Sequence, residues 1–547
     1  MEAGAALVST IINAGIDTAF TVPGESFLAV LEALRSNQNR IRLVSVRQEG
    51  GGSLAAHGYA QVKRKPAAVF VSRGPGAANA SIGLHAAHQD SIPMVMFLGQ
   101  VRSHMKGRES FQEIDPKTSF GSMSKAVLEP NSAQEMVTMA RQAIEISQSG
   151  RPGPVVVVMP RDFGETKVDE DIETRPYERK QVLSDQKSLN ELIDGLNKSV
   201  KPILLAGELA RGENVRDLLV KLSDRLGAPV ISAYRCQDVV ENYHPCYAGH
   251  LEINPVEYQD KLFNESDFIV VLGSRLDGIT SREETLIKES DEWAHIHPDN
   301  IVLKRFSSDI SVQSDVAPLL TDIMDRIEQK DHKDRGWRSK AHSEYLSFST
   351  AGIYPVNGSV DLSYIAETAR ELLSPKSIVL TDGGSYARWI HRFFKFDAPL
   401  TQGGTASGAM GGGVPGAIGA YLASNDDRMI VAFTGDGGFM MSGQELSTAV
   451  REQLPIKIIV CDNNIHGSIL KGQADKYGLE NAFGTIMGSP DFAQIARAYG
   501  AKAWTVKTTD EWRSSFEEAL SHVGPALIHL IFDPRDIAPY GKEKEAV

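Results

Sequence analysis

The sequence predicts an α/β protein made of three doubly wound, parallel-sheet domains. Short apolar runs recur along the 547 residues, separated by stretches of helical period. Most runs are continuous rather than alternating, as expected of parallel strands covered on both faces. Charged or aperiodic stretches near 165–183 and 341–358 divide the chain into three blocks.

The first block, 1–165, holds expected strands at 18–22, 41–46, 67–71, 94–98 and 155–159. The 165–183 stretch, ETKVDEDIETRPYERKQVL, is charged and weakly periodic and reads as a linker. The second block, 187–340, has expected strands at 202–206, 229–232 and 268–272. A connector at about 341–358 precedes the third block, 359–535, with expected strands at 377–381, 429–434, 456–461 and 526–531.

Composition narrows the function classes. Apolar content of 42% and charge of 23% are those of a globular protein. A net charge of −13 argues against a nucleic-acid or anionic-membrane partner. No run of about 18 apolar residues appears, so no membrane span is expected. The amino-terminal MEAGAALVST lacks the basic region and long apolar run of a signal peptide. The three cysteines, Cys236, Cys246 and Cys461, form no disulfide framework, and a cytoplasmic, reducing compartment is expected. Cys236, His244 and Cys246 match no standard zinc spacing.

The stretch from Arg428 to Leu470 carries the most chemistry. It reads as a strand, a Gly/Asp turn, a helix at about 442–451 and a second strand. A right-handed crossover would place the strands side by side. Asp436 and Asn463 then sit just past strand carboxyl ends, where open α/β sheets bind ligands. One carboxylate and one amide oxygen suit a hard cation such as Mg²⁺. Gly435, Gly437 and Gly438 would let a diphosphate approach the backbone. Taken singly, these residues are equally a tight turn and a strand-end Asn. The whole order, Gly-Asp-Gly after a strand, then helix, strand and Asn-Asn, resembles the metal–diphosphate motif of thiamine diphosphate (ThDP) enzymes. The closest likeness is to their acetolactate synthase-like branch.

The resemblance covers nearly the whole chain and implies the roles of its blocks: pyrimidine-binding, central and diphosphate-binding. It implies ThDP and Mg²⁺ as cofactors, with the Ile465 carbonyl as a third protein ligand beside Asp436 and Asn463. Glu49, following an expected strand and opening a helix, matches the Glu that hydrogen-bonds the pyrimidine ring nitrogen, a role that requires a desolvated carboxyl. Pro23 and Gly24 match the turn beneath the pyrimidine. The Arg-Gly-Pro-Gly run at 73–76, followed by Asn79, matches a second loop. Glu25 and Gln112, the latter in a Phe-Gln-Glu triplet, fall at substrate-facing positions. Gly384, Ser385 and Tyr386 match a loop that donates to the diphosphate. Met410 matches the apolar wedge that bends the cofactor so that its rings meet.

Departures from the branch are equally specific. Gly472 stands in place of a Trp that shapes the acceptor pocket, and Arg161 in place of a Lys. The Gly/Met-rich flavin loop is missing, with the run at 246–250 there instead, which argues against FAD. The implied function is C–C bond cleavage and formation on a 2-oxo acid, by decarboxylation with carboligation. Alternatives are a 2-hydroxyacyl-CoA lyase or oxalyl-CoA decarboxylase, with Arg211 and Arg275 as ADP contacts, and a noncatalytic ThDP-binding protein. The resemblance further implies a homodimer or homotetramer, because paired subunits clasp each cofactor. Small-molecule 2-oxo acids or aldehydes are the expected partners.

Overall fold

The structure is a computed structural model and describes residues 1–169, 175–329, 335–424 and 428–539. Positions 170–174, within the first expected linker, lie outside the described residues. The described strands form three six-stranded sheets in which every ladder is parallel.

The first sheet contains β1 (Thr18–Thr21), β2 (Arg42–Ser45), β3 (Ala67–Ser72), β4 (Met94–Gln100), β5 (Ala126–Leu128) and β6 (Pro154–Pro160), in the order β2-β1-β3-β4-β6-β5. The second contains β7 (Pro202–Ala206), β8 (Val230–Ser232), β9 (Tyr247–His250), β10 (Phe268–Leu272), β11 (Trp293–His297) and β12 (Ile310–Gln313), in the order β12-β11-β10-β7-β8-β9. The third contains β13 (Ile378–Thr381), β14 (Gln402–Gly404), β15 (Ile430–Gly435), β16 (Lys457–Asp462), β17 (Lys502–Val506) and β18 (Ala526–Ile531), in the order β14-β13-β15-β16-β18-β17. The outer sheets therefore thread alike, while the central one follows the dinucleotide-fold order.

The continuous apolar runs are explained by burial. Every residue of β4, β6, β15 and β16 is buried, and each Val, Leu, Ile or Met so covered contributes about 1.5–3 kcal/mol. One core joins the outer sheets, with Phe20, Val69 and Met96 in the same cluster as Ile378, Ala432 and Val460. The junction is a crossing of helices Glu49–Lys63 and Gly413–Ala423. A Cβ on Gly58 would strike the Gly416 carbonyl, and one on Gly419 the Ala55 carbonyl. Glycine is required there because backbone meets backbone.

Three local expectations are corrected. The run at 73–76 is the first turn of helix Arg73–Gln89 rather than a loop, and Pro75 is tolerated where its missing N–H has no intrahelical partner. Helix Arg335–Phe348 extends into the segment expected as the second connector, and packs against β9. After β15 the helix starts at once, as Asp436–Ser442, and resumes as Leu446–Arg451. Among the described residues, no helix is long and apolar enough to cross a membrane.

Candidate active site

In the third sheet the strand order reverses between β13 and β15, and the loops after these strands meet there. A cavity of about 250 Å³ opens between them, lined by Gly384, Ser385, Met410, Asp436, Asn463 and His466 among others. Gly435 caps helix Asp436–Ser442 in extended conformation. The start of helix Gly467–Tyr477 forms the facing wall.

Asp436 is 5% exposed. Its carboxylate accepts the Gly437 N–H at 2.8 Å and the Ser489 hydroxyl at 3.1 Å. Burial pushes this carboxyl up to about 6, and the neighbouring Asp462 carboxyl adds to the push. Asp462 moves the other way: burial opposes its charge, but hydrogen bonds from His529 and Ser489 outweigh that cost. Asn463 is 6% exposed, lines the cavity, and its Nδ2 has no partner. Its Oδ1 accepts the Ile465 N–H at 3.4 Å. The buried carboxylate of Asp436 and the amide oxygen of Asn463 are donor types that fit an oxygen-ligated cation.

The glycines fit a diphosphate. A Cβ on Gly437 would lie 2.9 Å from Met410 Cε, and one on Gly467 would lie 2.8 Å from Ser385 Oγ. A Cβ on Gly438 would meet the Asp382 carboxylate. Side chains at these positions would fill the cavity floor.

Asp382, which sequence reasoning passed over, is fully buried and joins three loops. It accepts the Tyr386 hydroxyl at 2.5 Å, the Thr434 hydroxyl at 2.8 Å and the Gly411 N–H at 3.1 Å. Burial raises its carboxyl, and those donors oppose the rise. The Tyr386 hydroxyl oxygen also lies 2.8 Å from the Phe433 carbonyl. It is thus committed inward, and Tyr386 meets the cavity as a ring. Arg235 of the central block donates to the carbonyls of Thr381 and Asp382 at 2.9 and 2.8 Å, holding the same loop from outside.

The first-block candidates gather elsewhere, at the carboxyl ends of their own sheet. Gln48 caps helix Glu49–Lys63 by accepting the Gly51 N–H at 3.1 Å. Asn79 donates to Glu49 at 2.9 Å, and a Cβ on Gly76 would sit 3.1 Å from the same carboxylate. Pro23 and Gly24 follow β1, with Gly24 pressed on Ser72 and Glu25 exposed. Gln112 has φ +63 and is exposed, and its carbonyl accepts the Gly74 N–H at 2.8 Å. None of these residues lines the Asp436 cavity within one chain.

Three family models match in chain order. Residues 1–119 match the thiamine pyrophosphate enzyme N-terminal TPP binding domain, 189–323 the central domain, and 382–530 the C-terminal TPP binding domain. With three parallel sheets and a Gly-lined cavity at the third sheet's switch point, the chain belongs to the thiamine pyrophosphate enzyme family. Within that family it is similar to acetolactate synthases. It is 28% identical to the probable acetolactate synthase large subunit of Methanococcus aeolicus, over 98% of this chain and 92% of that one. Identity is 29% to the acetolactate synthase isozyme 1 large subunit of Escherichia coli (strain K12), over 97% and 94%. It is also 29% to the mitochondrial acetolactate synthase catalytic subunit of Saccharomyces cerevisiae, over 95% and 79%.

Proposed function

We propose that this enzyme cleaves and forms carbon–carbon bonds at the carbonyl of a 2-oxo acid, by decarboxylation with carboligation, using thiamine diphosphate and Mg²⁺. The observation that carries the reading is the meeting of Asp436, Asn463 and the Gly384–Ser385 turn around one cavity. Near full-length similarity to acetolactate synthases supports it. On this reading, 1–165, 187–340 and 359–535 are the pyrimidine-binding, central and diphosphate-binding domains.

Asp436, Asn463 and the Ile465 carbonyl would hold the metal. Gly435, Gly437, Gly438, Gly384 and Ser385 would hold the diphosphate, with the ring of Tyr386 as a wall. Bound there, thiamine diphosphate supplies carbanion chemistry at its thiazolium ring. Glu49, set by Asn79, would hold and exchange a proton at the aminopyrimidine nitrogen, over the turn of Pro23 and Gly24. Met410 would keep the two ring sites close. Gln112 and Glu25 would face the substrate.

Glu49 and the Asp436 cavity are separate within one chain, so a second copy would bring its first block to the cavity. A homodimer, alone or paired into a tetramer, follows from this reading. The three cysteines are free and buried, which suits a cytoplasmic location. The acyl-CoA reading takes Arg211 and Arg275 as contacts for an ADP group, and both line one crevice. Arg211 instead forms a buried bidentate pair with Asp238 at 2.7 and 2.8 Å, in the central sheet's crevice. Arg235 and Glu208 fill that same crevice, leaving about 30 Å³, a poor fit for a flavin.

The test supplies ThDP, Mg²⁺ and a panel of 2-oxo acids beginning with pyruvate, with products read by mass spectrometry. Carbon dioxide with acetolactate or acetoin is expected. Bound cofactor with no turnover of any 2-oxo acid would overturn the reading.

A further inference from the structure

We infer that the His466 imidazole is a side-chain donor to the bound diphosphate, acting beside the glycine backbone. The inference rests on the cofactor reading proposed above and adds a residue to that site.

The backbone fixes where the ring lies. The His466 N–H donates to the Thr485 carbonyl at 2.8 Å, and Ile465 pairs with Ile486 in an isolated antiparallel bridge. The His466 carbonyl accepts the N–H groups of Ile469 and Leu470, both at 3.0 Å, so the residue caps helix Gly467–Tyr477. With its main chain held on both sides, the half-buried residue lines the cavity. Its ring stands over Gly437: a Cβ there would lie 3.2 Å from His466 Cε1 and 3.5 Å from Nδ1. The next residue, Gly467, is pressed on Ser385 Oγ. His466 and Gly467 thus reach both turns given above to the diphosphate.

Two observations point to an anion. Among the described residues, neither ring nitrogen of His466 has a hydrogen-bond or ion-pair partner. Independently, Asn463 lines the same cavity, is 6% exposed, and leaves its Nδ2 donor unpartnered. Buried donors are normally satisfied, so open N–H groups on one cavity wall call for an acceptor. Among the described residues no Lys or Arg lines this cavity, so phosphate oxygens there depend on neutral N–H and O–H donors and on the metal. An imidazole keeps at least one N–H in either charge state, so the contact does not depend on protonation.

The test is isothermal titration calorimetry of the full-length protein in Mg²⁺ with two probes, ThDP and inorganic pyrophosphate, which lacks the rings. His466→Leu removes the donors and keeps an apolar side chain of similar size. It should weaken both probes by a similar factor, roughly 10–100-fold, as expected on losing a hydrogen bond to a charged group. The melting midpoint of the ligand-free protein should not move, because the ring has no partner to lose. Wild-type ThDP affinity in His466→Leu overturns the inference. So does weakening confined to ThDP, which would place the ring against the thiamine portion, or a wild-type protein that does not bind pyrophosphate. A lowered ligand-free midpoint beside weaker binding would make the histidine structural and overturns it too. If His466→Leu does not accumulate folded, His466→Ala is read by the same criteria. Loss of ThDP binding in Asp436→Ala with none in His466→Leu would leave the cofactor site standing without His466. Wild-type ThDP affinity in Asp436→Ala would remove the site itself.

Discussion

The Glu445 carboxylate accepts the backbone N–H of Gln48 at 3.1 Å, one residue ahead of Glu49. It also accepts the Arg47 N–H at 2.9 Å and the Thr448 hydroxyl at 2.7 Å, and it is fully buried. The third block thereby fixes the turn that aims Glu49. Glu445→Ala strands these donors and should cost about 1–3 kcal/mol, read as a lowered urea midpoint. An unchanged midpoint would show that the turn holds itself.

Glu49→Gln should preserve the fold and slow proton exchange at the cofactor's thiazolium carbon by about 10²–10⁴-fold, as expected when a positioned acid–base group is removed. Quenched deuterium exchange followed by NMR measures this. Exchange at the wild-type rate would take Glu49 out of the chemistry.

Asp382→Asn puts an amide where three donors converge, so at least one donor loses its acceptor. A loss of about 1.5–3 kcal/mol in stability is expected, together with weaker ThDP binding in a fluorescence titration. Wild-type cofactor affinity would show that the loops around the cavity do not depend on this carboxylate.

Gly419→Ala inserts a methyl against the Ala55 carbonyl at the helix crossing. Overpacking of this kind typically costs about 1–3 kcal/mol. Because the crossing joins the outer sheets, melting should lose cooperativity as well as midpoint. A calorimetric transition identical to wild type would contradict the close contact.

Lys395 is buried over the Tyr345 ring at 4.7 Å, its ammonium donating to the carbonyls of Ser349 and Arg392 at 3.1 and 3.3 Å. Burial pushes it down to about 7 from an ordinary 10.5. Between those values the unfolded chain holds a proton that the folded chain has released, so stability rises with pH across that window. Lys395→Met should flatten the rise. Urea midpoints for both proteins near pH 7 and pH 9.5 decide it: parallel pH profiles would place the lysine in a wetter setting.

Legibility in the sequence followed locality. Interior strands such as β4 and β15 were readable because both faces are covered and most residues are apolar. β14, with the sequence Gln-Gly-Gly, and β17, with only Val506 buried, lie at sheet edges. An edge strand has one neighbour and half a cover, so its sequence carries no comparable run. β11 escaped for a different reason: His295 and His297 are polar in sequence yet fully buried, and burial pushes them down to about 4 and about 3, which keeps them neutral. At the site, Asp436 and Asn463 were legible because strand, turn and strand lie within one short stretch. Asp382, Asp462 and Glu445 were not, because each is defined by partners far away: Gly411 and Thr434, His529, and the turn before Glu49.

The matched threading of the outer sheets has a use in engineering. Each loop of one sheet has a counterpart in the other: the segment after β1 answers to the one after β13, and those after β3 and β4 to those after β15 and β16. A loop transplanted between counterparts enters between strands with equivalent neighbours. Transplants into the central sheet would meet a different neighbour, so chimeras are best built by exchange between the two ends of the chain.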